Sequence, residues 1–214
     1  MRAILLDLDG TLVHTAPEIA SAANKMLQAL AKPRLDPLQI QSFIGDGAQM
    51  LIKRCLMEQT HAEPDAAVWA EAQALFLKFY AENAAQSRPY PQVLAGLEAM
   101  QKAGYALACV TNKPASFTLP LLQANQLDGY FSVVVSGDTL TKKKPDPAQL
   151  LYICEKLHIT PEQALLIGDS NTDVQAARQA GCYVFTVPYG YNHGLALNAD
   201  ASIAHIGDAL NLLH

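Results

Sequence analysis

The chain has 214 residues, of which 50% are hydrophobic and 16% are charged, so it is long and apolar enough to bury a core. These proportions exclude a disordered or fibrous protein and fit one large domain, or one domain with a smaller insertion. The formal net charge of -5 provides no general attraction to polyanions, so neither nucleic acid nor a membrane surface is expected as a partner.

The amino-terminal residues form an apolar run that could be mistaken for a secretory signal. Asp7 and Asp9 end this run well before it reaches signal length, and no later run is long enough to span a membrane. The four cysteines lie far apart in the sequence, without the close pairs of a zinc site or a redox motif. We therefore expect a cytoplasmic protein with reduced thiols.

Short apolar runs predict five strands of a parallel sheet that is buried on both faces. They are, in chain order, Ala3 to Leu6, Ala106 to Val110, Val133 to Val135, Ala164 to Ile167 and Cys182 to Val187. Helix-like segments separate these runs. Such an alternation of strands and helices predicts a three-layer α/β domain.

Between about Pro17 and Ser87 the strand pattern gives way to helical segments. In one of them, apolar residues recur at three- and four-residue spacing and mark one face of a helix: Val68, Ala72, Leu75, Phe76, Phe79 and Tyr80. Pro89 and Pro91 then interrupt any helix. We expect an α/β core of residues 1–16 and 88–214, with residues 17–87 inserted after the first strand as a small α-helical cap.

Polar residues follow directly on several predicted strands. Asp7 and Asp9 follow the first strand, Thr111 and Asn112 the second, and Asp169 the fourth. Open parallel sheets bind ligands outside the carboxyl ends of their strands, so these side chains are expected to meet in one crevice. Two aspartates with one residue between them point the same way and repel each other, and a Mg²⁺ ion would relieve that repulsion.

A count of charges suggests a mechanism for this crevice. Asp7, Asp9, Asp169 and Asp173 supply four negative charges, against two on Mg²⁺ and one on Lys144. A bound phosphate dianion would make full ionisation unfavourable, so one carboxyl should carry a proton, and Asp9 is the candidate. Asp7 could then attack phosphorus and form an aspartyl phosphate. Asp9 would protonate the leaving oxygen and later activate the hydrolytic water.

Other residues of the crevice can donate hydrogen bonds to the phosphoryl group. The Thr111 hydroxyl, the Lys144 ammonium and the backbone amides around Gly10 and Asn112 are the candidate donors. Asp173 is expected to orient Lys144 or a metal-bound water without itself binding the metal. Metal binding is expected from the Asp7 and Asp169 carboxylates.

Four ordered motifs resemble those of the haloacid dehalogenase superfamily: Asp7-Leu8-Asp9-Gly10-Thr11, Thr111, Lys144-Pro145, and Gly168-Asp169-Ser170-Asn171-Thr172-Asp173. The resemblance implies the strand order 3-2-1-4-5 and a helical cap after strand 1. It also implies Mg²⁺ as cofactor, held by Asp7, Asp169 and the backbone carbonyl of Asp9. A small phosphorylated metabolite is the implied substrate.

Further strings resemble those of bacterial phosphoglycolate phosphatases, among them Val110-Thr111-Asn112-Lys113-Pro114 and Tyr189-Gly190-Tyr191-Asn192-His193-Gly194. Asn112 and Lys113 are accordingly expected to contact substrate, and so is the cap loop Gly45-Asp46-Gly47. Tyr191, Asn192 and His193 are expected to form a polar surface loop. His14-Thr15 replaces the Asp-Ser or Asp-Thr of many relatives, and this change is expected to affect the cap more than the chemistry.

Several functions stay open at this point. Related enzymes include sugar-phosphate phosphatases, pyrophosphatases, phosphomutases and phosphonate-cleaving enzymes. Halide displacement is disfavoured, because it does not require an acid/base such as Asp9. A receiver-like phospho-aspartate module would need neither Asp9 nor the insertion, and the full set of catalytic residues argues against an inactive binding protein. The sequence does not predict the oligomeric state.

Overall fold

The computed structural model describes residues 1–60, 63–192 and 197–213, and these contain eight strands and eight α-helices. The strands are β1 (Ala3–Leu6), β2 (Val13–His14), β3 (Arg88–Pro89), β4 (Ala106–Val110), β5 (Val133–Val135), β6 (Ala164–Gly168), β7 (Tyr183–Thr186) and β8 (Ala201–Ser202). The helices are α1 (Ala16–Ala29), α2 (Pro37–Gln41), α3 (Ala48–Thr60), α4 (Ala66–Ala81), α5 (Val93–Lys102), α6 (Ala115–Ala124), α7 (Ala148–Leu157) and α8 (Asn171–Ala180).

Six of the strands form one parallel sheet in the spatial order β5-β4-β1-β6-β7-β8. Numbered by their own chain order, these strands run 3-2-1-4-5-6, so the implied order 3-2-1-4-5 is confirmed. The additional edge strand, β8, has only two residues in register with β7. Two residues are too few to produce a pattern that predicts a strand.

Alternate residues of β1 face two separate hydrophobic clusters. Ile4 and Leu6 belong to one cluster and Ala3 and Leu5 to the other, and all four side chains are fully buried. Helix α5 contributes residues to the first cluster, whereas α7 and α8 contribute to the second. The sheet is therefore the middle of three layers, which explains why its central strand is apolar at every position.

Helices α1 to α4 lie between β2 and β3 and pack around a third hydrophobic cluster. Helix α4 buries Ala72, Phe76 and Tyr80, which are members of the predicted apolar face. Phe117, from helix α6 of the α/β domain, packs against the edge of this cluster. The insertion is therefore helical, as predicted, while its limits as a separate cap at 17–87 stay a prediction.

Strands β2 and β3 connect the helical segment to the sheet. They pair antiparallel, with Val13 opposite Pro89 and His14 opposite Arg88, so the chain enters and leaves the segment at adjacent points. Among the described residues no helix is both long and apolar enough to cross a membrane.

Candidate active site

Three buried aspartates meet at the carboxyl ends of β1 and β6. Asp7 follows β1, Asp169 follows β6, and these two strands are hydrogen-bonded neighbours. Asp173 belongs to the first turn of α8. One carboxylate oxygen from each residue lies within 4.8 Å of the others, so the three could share a metal ion.

Lys144 is the cation at the centre of this group. Its Nζ donates to Asp7 Oδ1 at 2.7 Å, to Asp173 Oδ1 at 2.6 Å and to the Val110 carbonyl at 2.8 Å. Burial acts to lower the pKa of Lys144, but the Asp173 and Asp7 carboxylates outweigh it and raise that pKa above its ordinary value. An ammonium group has three hydrogens, so all of them are engaged.

Asp173 uses both of its carboxylate oxygens inside the protein. Oδ1 accepts from Lys144, and Oδ2 accepts from the backbone N–H of Ser170 at 3.1 Å and from the Ser170 hydroxyl at 2.5 Å. These bonds hold the lysine and the loop that carries Asp169. The geometry therefore supports an orienting role for Asp173 better than direct contact with a metal.

The negative charge at this site exceeds what Lys144 can compensate. Burial raises the pKa of Asp7 from its ordinary value of 3.8 to about 7, although the Lys144 ammonium acts in the opposite direction. Burial and the neighbouring carboxylates of Asp7 and Asp173 also raise the pKa of Asp169. A divalent cation between Asp7 and Asp169 would offset these effects, so the donor set fits Mg²⁺, a hard ion that prefers oxygen ligands.

Asp9 lies beside this group and has different partners. Its Oδ1 accepts from the Thr15 hydroxyl at 2.6 Å and from Lys113 Nζ at 2.9 Å. Thr15 therefore contacts the candidate acid/base directly. The contact was not predicted because it depends on how the chain turns after β2. His14, the residue that departs from the relatives, is exposed and its Nδ1 lies 3.1 Å from the Tyr90 hydroxyl, so the expectation that this change affects the cap more than the chemistry stays a prediction.

The residues after β4 lie against the same carboxylates. The Thr111 hydroxyl oxygen accepts from the Lys113 N–H at 3.1 Å, which leaves the hydroxyl hydrogen free to donate. The Asn112 side chain donates to the carbonyls of Gly45 and Lys144, at 2.9 and 2.8 Å. Asn112 thus joins the helical segment to the loop that carries Lys144.

Gly10 and Gly190 leave room for the Asp169 carboxylate. A Cβ atom added at either glycine would come within 2.3 Å of Asp169 Oδ2, and Gly10 also has a φ of +88°, which favours glycine. The Gly10 N–H donates to the Val13 carbonyl at 3.0 Å, so this N–H is not free to contact a phosphoryl oxygen.

The prediction of a polar surface loop is wrong for Tyr191, whose side chain is buried. Its N–H donates to Asp169 Oδ2 at 2.5 Å, and its hydroxyl accepts from the N–H groups of Thr15 and Ala16, at 2.7 and 3.0 Å. Tyr191 therefore connects Asp169 to the start of α1. Asn192 is half-buried, and His193 lies outside the described residues.

The three residues of the predicted cap loop, Gly45-Asp46-Gly47, contact two different parts of the protein. Gly45 and Gly47 line a cavity together with Asp7 and Asp9. Asp46 instead accepts from the Thr172 hydroxyl at 3.0 Å and pairs with Arg54. Asp46 therefore ties the loop to α8 and is not among the cavity-lining residues.

Gln149 is a buried residue that the sequence did not single out. Its Oε1 accepts from the Lys144 N–H at 3.2 Å, and its Nε2 donates to the Ser136 carbonyl at 3.0 Å. It fixes the loop that carries Lys144 against the end of β5. The polar position follows Lys144-Pro145 on an otherwise apolar helix face, and that is the signal that could have identified it.

The cavity in front of Asp7 and Asp9 has a volume of about 50 Å³. Its floor is formed by the ends of β1 and β4, with Thr111 and Lys113, and its roof by Phe76 and Tyr80 from α4. The volume is far below the roughly 300–1,000 Å³ of pockets that hold drug-sized ligands. The site therefore fits a small ligand.

Comparisons with known proteins agree with this geometry. Residues 4–187 match the family described as haloacid dehalogenase-like hydrolase. The chain is 48% identical over 217 residues to a phosphoglycolate phosphatase of Nitrosospira multiformis, with 100% of this chain and 96% of the relative covered. It is 46% identical over 213 residues to a phosphoglycolate phosphatase of Thiobacillus denitrificans, with 98% and 94% covered.

The fold is also similar to a solved structure, that of a predicted phosphoglycolate phosphatase from Haemophilus somnus. The two share 35% sequence identity with a TM-score of 0.93, over 99% of this chain and 97% of the other. The match to the family covers most of the chain, from β1 to the residue after β7. The chain belongs to the haloacid dehalogenase-like hydrolase family.

Proposed function

We propose that the chain is a Mg²⁺-dependent phosphatase that hydrolyses 2-phosphoglycolate to glycolate and inorganic phosphate. The observation that carries the proposal is the pair of carboxylates at one small cavity: Asp7 is held by Lys144, and Asp9 is held by Thr15 and Lys113. Phosphoglycolate phosphatases are the relatives that match over the full chain.

The residues that would hold the cation are Asp7 and Asp169 through their carboxylates and Asp9 through its backbone carbonyl. When bound, Mg²⁺ would offset the negative charge of the phosphoryl group and of the attacking carboxylate. Asp173 and Tyr191 keep the protein groups in place: Asp173 orients Lys144, and the Tyr191 N–H orients Asp169.

In the first half-reaction an oxygen of Asp7 attacks phosphorus, and the bond between phosphorus and the glycolate oxygen breaks. Asp9 gives its proton to that oxygen as it leaves. The positive charge of Lys144, which lies behind Asp7, and a hydrogen bond from the free hydrogen of the Thr111 hydroxyl stabilise the negative charge on the phosphoryl oxygens. The products of this step are glycolate and an aspartyl phosphate on Asp7.

In the second half-reaction a water molecule attacks the phosphorus of the aspartyl phosphate. Asp9, now ionised, accepts a proton from that water, and the bond between phosphorus and Asp7 breaks. Inorganic phosphate leaves, Asp7 is a free carboxylate again and Asp9 is protonated. One acid/base therefore serves both half-reactions.

Residues 17–87 are proposed to act as a cap that covers the phosphoryl group and excludes water from the site. Gly45, Gly47 and Tyr80 lie over the catalytic residues, which supports this role. Phe76 and Tyr80 close the cavity over Asp7 and Asp9, which favours a small substrate over hexose phosphates and nucleotides. A cytoplasmic location, with no nucleic-acid or membrane partner, is part of the same proposal, and the buried free cysteines are in keeping with it.

Phosphate release from a panel of substrates tests this function. The panel comprises 2-phosphoglycolate, a hexose phosphate, a nucleotide and pyrophosphate, each with and without magnesium. The highest kcat/KM is expected for 2-phosphoglycolate with magnesium. If 2-phosphoglycolate is among the poorest substrates, the assigned substrate is wrong.

Two variants test the assigned roles. Asp7→Asn should abolish turnover and also the phosphorylated protein that acid quenching traps, so normal activity would contradict the nucleophile. Asp9→Asn should retain substrate binding but slow turnover by about 10²- to 10⁴-fold, the usual contribution of general acid/base catalysis. An unchanged kcat would remove Asp9 from that role.

A further inference from the structure

Lys113 is a buried cation at the boundary between the sheet and the helical segment. Its side chain is only 4% exposed, and its Nζ lies 2.9 Å from Asp9 Oδ1. On its other side the Nζ lies 4.7 Å from the centroid of the Tyr80 ring, which belongs to α4. The ion pair with Asp9 keeps the Lys113 ammonium charged.

The hydroxyl group of Tyr80 lies close to Lys113 Nζ. The residue is 2% exposed, and its hydroxyl faces Lys113 Nζ closely enough for a weak side-chain hydrogen bond. The hydrogen of this hydroxyl has no acceptor within the described part of the chain. Contacts with Phe76 and Phe117 fix the ring, at centroid distances of 5.7 and 4.9 Å. A buried hydroxyl hydrogen without an acceptor is unfavourable, so a ligand that accepts this hydrogen would bind more tightly here.

Lys113 marks the part of the cavity lining that can attract an anion. Among the cavity-lining residues that the structure describes, Asp7 and Asp9 are the acids and Lys113 is the cation. Lys144 cannot serve in its place, because all three of its hydrogens are engaged behind Asp7. An ammonium group has three hydrogens, of which Asp9 accepts one and the Tyr80 oxygen accepts at most one more, so one stays available. Lys113 can therefore keep Asp9 and bind a second anion.

The order of the groups indicates which part of a substrate would reach Lys113. Phosphorus must approach Asp7, and the leaving oxygen must approach Asp9, which gives it a proton. Lys113 lies directly beside Asp9. A carboxylate one or two carbons beyond the leaving oxygen would therefore reach the Nζ of Lys113 and the hydroxyl of Tyr80.

We propose that Lys113 Nζ and the Tyr80 hydroxyl form a carboxylate subsite, which selects short phosphomonoesters with a carboxylate close to the phosphate ester. The inference rests on the proposed function and assigns its specificity to one residue of the sheet domain and one of the helical segment. Charge-assisted hydrogen bonds favour a carboxylate here over a neutral hydroxyl group.

Two substrates of similar size distinguish recognition of the carboxylate by this subsite from the phosphoryl-transfer step itself. 2-Phosphoglycolate carries the carboxylate, and 2-hydroxyethyl phosphate replaces it with a neutral alcohol. The measured quantity is the ratio of the two kcat/KM values, so any effect of Lys113 on Asp9 that acts on both substrates cancels. Lys113→Met should lower this ratio by about 10- to 100-fold, the range that a hydrogen bond to a charged group supplies.

Tyr80→Phe removes only the hydroxyl and should lower the same ratio by up to about tenfold. Lys142→Met is the matched control, because Lys142 is an exposed lysine of the neighbouring charge run and pairs with Asp146. The control should keep the wild-type ratio. Unfolding by urea establishes that each variant is folded. If Lys113→Met does not fold, Tyr80→Phe decides the question.

The outcomes distinguish the subsite from the function on which it rests. A wild-type preference for 2-phosphoglycolate that both variants keep would overturn the subsite and leave the proposed function intact. A wild-type protein that hydrolyses neither substrate would overturn both. A ratio that falls in both variants and not in Lys142→Met supports the subsite.

Discussion

The Thr15 hydroxyl donates a hydrogen bond of 2.6 Å to Asp9 Oδ1, which links the candidate acid/base to the residue before α1. Thr15 is fully buried, and its backbone N–H is held by the Tyr191 hydroxyl. The position of Asp9 therefore depends on a residue at the entrance to the helical segment. A change in how the helical segment packs against the sheet domain would therefore move the Asp9 carboxylate.

Thr15→Val keeps the size of the side chain and removes the hydrogen bond to Asp9. A hydrogen bond to a charged group contributes about 1.5–3 kcal/mol, so kcat should fall by roughly 10- to 100-fold. The control is Thr141→Ala, at an exposed position outside the cavity. Steady-state phosphate release measures both variants. An unchanged kcat and pH profile in Thr15→Val would contradict a positioning role.

Magnesium binding should compete with protons. In the cation-free protein the pKa of Asp7 is raised from 3.8 to about 7, so below pH 7 an ion must displace a proton from the site. Affinity should therefore rise with pH through about 7, the pKa of Asp7. Calorimetric titrations in buffers with different ionisation enthalpies would report the released protons. Asp7→Asn should release fewer protons and depend less on pH than the wild type, with Asp169, whose pKa is also raised, supplying the remainder. An affinity independent of pH in the wild type would contradict the expectation.

The raised pKa of Asp7 also determines how the free energy of unfolding of the cation-free protein changes with pH. Between 3.8 and about 7, folded Asp7 keeps a proton that the unfolded chain has lost. The contribution of Asp7 to the free energy of unfolding is therefore largest below this range and decreases as pH rises through it. Urea unfolding of the wild type and of Asp7→Asn, compared across the range, measures this contribution. A difference that does not vary with pH would contradict it.

Tyr191→Phe should destabilise the protein. It removes the oxygen that accepts from the buried N–H groups of Thr15 and Ala16, and an unpaired buried donor costs about 1–3 kcal/mol. The free energy of unfolding in urea should fall by about 2 kcal/mol. Tyr183→Phe is the matched control, since Tyr183 is 51% exposed, and it should leave the stability unchanged. Equal stabilities in the two variants would show that the hydroxyl contributes nothing.

Gly190→Ala should weaken magnesium activation. The added Cβ would lie 2.3 Å from Asp169 Oδ2, so the carboxylate must move from its position beside Asp7. When a metal ligand is no longer held in its position, the metal affinity typically falls by about 10- to 100-fold. Gly129→Ala is the control, because no atom lies within 4 Å of its added Cβ. A magnesium titration of activity separates the two variants, and identical activation constants would contradict the expected displacement.

The sheet and the meeting of its carboxylates could be predicted from local patterns. Each apolar run marks a buried strand, and parallel strands bring their carboxyl ends to one edge, so Asp7 and Asp169 had to meet. The contacts of Thr15 and Tyr191 could not be predicted in the same way. They join residues 176 positions apart through a loop whose path no periodic pattern specifies. Strand β8 was missed for a related reason, since two residues have no period.

Tyr80 was predicted as part of an apolar helix face, and the structure buries it there. The same pattern gave no indication that its hydroxyl would stand beside Lys113, because helical periodicity identifies a buried face and not what covers it. Residues of this kind, buried for one reason and chemically useful for another, are the ones that the sequence identifies least well.

The pairing of β2 with β3 places the two ends of the helical segment side by side. A segment whose ends are adjacent can be lengthened, shortened or replaced without any change in the strands to which it is attached. Lys113 belongs to the sheet side of the proposed subsite and Tyr80 to the exchangeable side. Descendants of this chain could therefore acquire a new leaving group by exchanging one helical piece while they inherit the phosphoryl-transfer residues intact.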